Sequence, residues 1–104
     1  MLGWFDTKEV DAFAQSVVDE LVKRLPPASL QRPDRKAPDR VHRMTEALSN
    51  QVRDFARAQK PNFYKRARLG NRVKWGMREA GYAEEFVTAF TGELLILVTV
   101  ASRG

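Results

Sequence analysis

FVTAFTGELLILVTVA, residues 86–101, decides how the rest of the chain is read. At about 100° per residue, Phe86, Phe90, Leu94, Leu97, Val98 and Ala101 fall on one face, the spacing an amphipathic helix requires. From Leu94 onward the opposite side is apolar as well, with Leu95, Ile96 and Val100. A helix that is apolar all round must be enclosed by protein or lipid. The segment is therefore expected to be the hub of the fold or a surface shared with a partner, and Leu95, Ile96 and Val100 are the candidate self-association residues. A buried strand over 94–101 competes, because Ile, Val and Thr favour sheets. No second strong strand is present to pair with it, so a helix is the expectation.

Glu93 interrupts the apolar face. A carboxylate there needs an arginine partner or a raised pKa, unless Gly92 breaks the helix, Thr91 caps the next piece and Glu93 stands in water. The second account is preferred, since a helical glycine already costs about 1 kcal/mol. Residues 86–102 also approach the length of a membrane span. Glu93 and the shortness of the run argue against one.

The 104-residue chain has the size of one helical domain over 1–104, with 43% hydrophobic and 30% charged residues, as in ordinary globular proteins. Cysteine is absent, which excludes disulfides, thiolate metal sites and cysteine nucleophiles. MLGWFDTKEV lacks the pattern of a secretory signal, and a cytoplasmic location is expected. The net charge of +5 is unevenly spread: residues 23–78 carry sixteen basic and four acidic groups, while each flank is net acidic. Such a belt either meets a polyanion or pairs with the acidic ends.

Residues 6–25 carry an apolar stripe of Val10, Phe13, Ala14, Val17, Val18, Leu21, Val22 and Leu25. Asp6 and Glu9 can form a capping box and Phe5 a staple on Val10; Pro26 and Pro27 end the helix. A proline-rich loop follows over 26–38, and its Arg32, Arg35 and Lys36, with Arg40 beyond, read as solvated charge or an anion-binding arm. Asp39 is placed as the N-cap of a second helix over 39–60. His42, the only histidine, lacks a neighbouring nucleophile or second ligand and is expected to pair with Glu46. A third helix, 62–80, starts at Asn62 and stops at Gly81. Arg66 intrudes on its inner face, which points to a split at Gly70. Gly76, on that face, would let another helix come close. The last helix covers 83–101. The fold expected is an all-α four-helix bundle.

Arg68, Arg72, Trp75 and Arg78 share the outer face of the third helix, with Lys65 and Arg57 as auxiliaries. Guanidinium groups fork onto phosphates and rings stack on unpaired bases, so these six form a candidate polyanion surface. In the opposing reading Leu2, Trp4 and Phe5 cover Trp75 and the arginines pair with the acidic ends. Phosphate-cradling loops, zinc-ligand spacings and nucleophile elbows are absent. Neither an enzyme, a cofactor nor a small-molecule substrate is expected. The favoured function is a protein-interaction or self-associating module, with nucleic-acid binding as the alternative and a membrane as a disfavoured partner.

Overall fold

The computed structural model describes residues 7–30 and 37–103, and all regular structure among them is helical. The order is α1 (Lys8–Arg24), a short 3-10 turn (Pro27–Leu30), α2 (Ala37–Ala47), α3 (Ser49–Gln59), α4 (Phe63–Ala80) and α5 (Glu84–Arg103). The strand reading of 94–101 is overturned, because that segment lies inside α5. α5 packs against α2, α3 and α4, while α1 lies on α4.

The expected second helix is two. Its backbone turns at Leu48, with φ −91° and ψ −1°, so among the described residues five α-helices replace the expected four. Buried Thr45, just before the turn, donates its hydroxyl to the His42 carbonyl at 2.8 Å. Both halves face α5. Asp39 is not the cap expected of it: α2 begins at Ala37 and Asp39 lies in its first turn, near the positive end of the dipole.

α4 and α5 correct the sequence reading in the other direction, since neither breaks at its glycine. Gly70 is buried inside a continuous α4, and a Cβ there would lie 3.0 Å from Leu95 Cδ1. Its role is to admit α5. Gly76 admits α1 in the same way, with a Cβ 2.9 Å from Val18 Cγ2. α5 runs unbroken through Gly92, Thr91 is buried instead of capping, and Glu93 is exposed on the helix surface.

The ends of α4 follow the sequence closely. Asn62 Oδ1 accepts from the Lys65 N–H at 2.8 Å. Gly81 takes a left-handed φ of 104°, and the Tyr82 and Gly81 N–H groups bond back to Met77 and Arg78. That is a Schellman stop. On α1, Val10, Ala14, Val17, Val18 and Leu21 are buried, and the Phe13 ring stacks on Phe55 of α3 with centroids 4.2 Å apart. The capping box and staple proposed at Asp6 and Phe5, and the arm residues Arg32, Arg35 and Lys36, lie outside the described residues.

Candidate interaction surfaces

α5 buries Phe86, Val87, Phe90, Thr91, Leu94 and Val98. The remaining arc must face outward. On it stand Ala89, Gly92, Glu93, Ile96, Val100 and Arg103, all exposed and all within about 100° of one another at helical spacing. Ile96 is 61% exposed and Val100 60%. They sit one turn apart, so their side chains meet on the surface. Leu95, grouped with them on sequence, parts company: it is half-buried against the core beside Gly70.

One flank of this stripe is a cleft of about 490 Å³ between α2, α3 and α5, with His42, Glu46, Arg53, Glu93, Ile96 and Leu97 on its walls. His42 Nε2 and Glu46 Oε1 are 3.1 Å apart, the pairing expected. The ring nitrogen is thus engaged at the surface. No group of three or more His, Cys, Asp and Glu among the described residues could hold a metal ion.

The basic face of α4 is the second surface. Trp75 is 61% exposed and Tyr64 is partly exposed one side of Arg68. The proposed cover for the indole, Leu2, Trp4 and Phe5, lies outside the described residues. The arginines beside it are engaged. Arg68 forks onto Asp11 of α1 through Nε at 3.0 Å and Nη2 at 3.1 Å, and Arg72 reaches the same carboxylate at 3.3 Å. Arg78 forks onto Glu84 at 2.9 and 2.6 Å. The hydrogen bond and charge of Arg68 hold the Asp11 carboxyl below its ordinary range, and Arg78 does the same for Glu84. Lys65 is half-buried near the start of α4, and Arg57 is exposed on α3.

Two features escaped the sequence reading. Phe63, the first residue of α4, is 81% exposed. Asp11 anchors two arginines at once; its place in the first turn of α1 was visible, but which helix α1 would meet was not.

No family model matches the chain, and no curated protein or solved structure matches it. By length and composition alone α5 is long and apolar enough to cross a membrane, a property that a bundle's central helix shares.

Proposed function

We propose that the chain is a non-catalytic interaction module that associates with itself through the outward face of α5. The observation that carries this reading is the exposure of Ile96 and Val100, side by side on the helix that also forms the hub of the core. Polar residues at these two positions would complete an ordinary amphipathic helix; large β-branched side chains there instead extend the apolar surface into solvent.

Covering a fully exposed Ile or Val is worth about 1.5–3 kcal/mol. Two such residues from each of two copies, already partly covered, supply a gross gain comparable to the lower part of the roughly 4–15 kcal/mol that association costs. These side chains alone therefore only offset that cost, and the flanking side chains that close over them must supply the net stabilisation, about −8 kcal/mol for a dimer with a Kd of 1 μM. Light scattering across a concentration series tests it. A mass rising toward twice the monomer, and abolished by Ile96→Glu or Val100→Glu, supports the reading; a constant monomer mass into the high micromolar range sinks it.

A second reading rests on the exposed Trp75. Flanked by Arg68, Arg72 and Arg78, with Lys65 and Arg57 as auxiliaries, the indole offers a stacking platform for an unpaired base. Titrating single-stranded nucleic acid against tryptophan emission, in the parent and in Trp75→Phe, tests it. Saturable quenching that weakens steeply with salt and vanishes in the variant supports the reading; absence of any change at low salt excludes it.

A further inference from the structure

We infer that two copies of the chain pair antiparallel through α5, with Glu93 of each copy facing Arg103 of the other. The inference rests on the self-association reading above and goes further by fixing the orientation and register of the pair. Ala89, Gly92, Glu93, Ile96, Val100 and Arg103 form one exposed stripe, and its two charges are of opposite sign at opposite ends. About 15 Å of helix separates them.

A parallel two-fold pair sets each residue against its own copy, so Glu93 would meet Glu93 and Arg103 would meet Arg103. Like charges would confront each other at both ends of the apolar patch. An antiparallel pair that sets Ile96 level with Val100 of the second copy sets Glu93 level with Arg103 of the second copy. The two-fold axis repeats both contacts, which gives two apolar contacts flanked by two ion pairs. One register satisfies all four residues.

Two further observations fit this register. Neither the Glu93 nor the Arg103 side chain has a hydrogen bond or ion pair among the described residues, and the ionisable groups that border the stripe from α2 and α3, His42, Glu46 and Arg53, form no ion pair with Glu93. Gly92 is exposed in mid-helix, and a Cβ placed there would meet nothing within 4 Å. The fold of one copy therefore gives no steric reason for the glycine, which by itself weakens the helix. Against a second copy the reason is direct: its bare surface lets the stem of the incoming Arg103 lie across α5 toward Glu93.

The experiment is sedimentation equilibrium at low salt on the full chain and on Glu93→Arg, Arg103→Glu and the double exchange, with circular-dichroism melts to show that each monomer remains folded. Each single exchange is expected to weaken dimerisation about fivefold or more, and the double exchange to return it to within about twofold of the parent. Singles without effect, or a double that stays weak, overturn the register. Cysteine cross-linking supplies a readout independent of charge, because the chain has no cysteine of its own. An equimolar mixture of Ile96→Cys and Val100→Cys should form a mixed disulfide-linked dimer under mild oxidation, while either variant alone cross-links poorly, since a disulfide needs Cα atoms within about 7 Å. Efficient linking of Ile96→Cys to itself shows a parallel pair and overturns the inference. The two layers fail separately: a parent chain that stays monomeric defeats self-association as a whole, whereas a parent dimer lost in Ile96→Glu but indifferent to the charge exchange defeats only the antiparallel register.

Discussion

The Tyr82 hydroxyl donates to the backbone carbonyl of Leu25 at 2.6 Å, joining residues 57 apart in sequence. Tyr82 is the residue after the glycine stop of α4, and Leu25 is the C-cap of α1. The bond therefore ties the junction between α4 and α5 to the end of α1, and the Tyr82 ring stacks on Phe86 within the core, centroids 5.4 Å apart.

Burial pushes the Tyr82 hydroxyl from an ordinary value of 10.0 up to about 12. A group whose pKa is raised on folding adds stability below its unfolded pKa and loses it as the pH climbs through the folded one. The fold should thus weaken between about pH 10 and pH 12. Thermal melts across that range should show a fall in Tm that Tyr82→Phe reduces, although the variant starts lower at neutral pH by about 1 kcal/mol for the lost hydrogen bond. An alkaline slope identical in the two proteins would assign the transition to other groups.

Gly76 and Gly92 are both helical glycines and should respond oppositely to alanine. At Gly76 the new methyl lies 2.9 Å from Val18 Cγ2, and Val18 is β-branched and buried. Overpacking of that kind costs about 1–3 kcal/mol, against a propensity gain near 1 kcal/mol. At Gly92 nothing is within 4 Å, so Gly92→Ala should stabilise the monomer by about 0.5–1 kcal/mol. Urea unfolding of dilute protein measures both. The same Gly92→Ala should weaken dimerisation if a second copy approaches there.

Helix content and the inward stripes of α1 and α4 are plain in the sequence because their apolar spacing is regular and their stops are chemically explicit, as at Asn62 and Gly81. Breaks were the failure. Gly70 and Gly92 read as breaks because a glycine weakens an isolated helix, yet tertiary packing holds both helices continuous, and at Gly70 the missing side chain is what admits Leu95. The real break, at Leu48, carries no Gly or Pro, so no helix-breaking residue marks it in the sequence. The outward stripe of α5 was legible in part. Ile96 and Val100 stood out by composition, while Leu95 could be separated from them only once α4 was seen to lie beside it.

Asp11 should be more consequential than its exposure implies, because both Arg68 and Arg72 converge on it. Its depressed pKa means that it stabilises the fold above its ordinary value of 3.8 and that this contribution disappears as the pH falls lower. Asp11→Asn should melt earlier at neutral pH and lose less on acidification than the parent. It also releases two guanidinium groups beside Trp75. If the α4 face binds nucleic acid, the variant should bind more tightly, with a log-salt slope steeper by about one to two. Unchanged binding would leave the α4 arginines without a role at the contact.

Thr91 carries the last prediction. Its Oγ1 is buried without a hydrogen-bond partner, and the residue is 1% exposed on the face of α5 nearest Gly70. A hydroxyl removed from water and left unpaired costs about 1–3 kcal/mol. Valine has nearly the same shape, keeps the methyl that lies toward Gly70, and replaces the hydroxyl with a group that needs no partner. Thr91→Val should therefore raise stability by about 1 kcal/mol, or roughly 4–8 °C in Tm for a domain of this size. Thr91→Ser provides the converse, since it keeps the unpaired hydroxyl and opens a methyl-sized void, and it should lower Tm. If valine destabilises and serine is neutral, the hydroxyl is satisfied in solution and the α4–α5 contact is not limited by it.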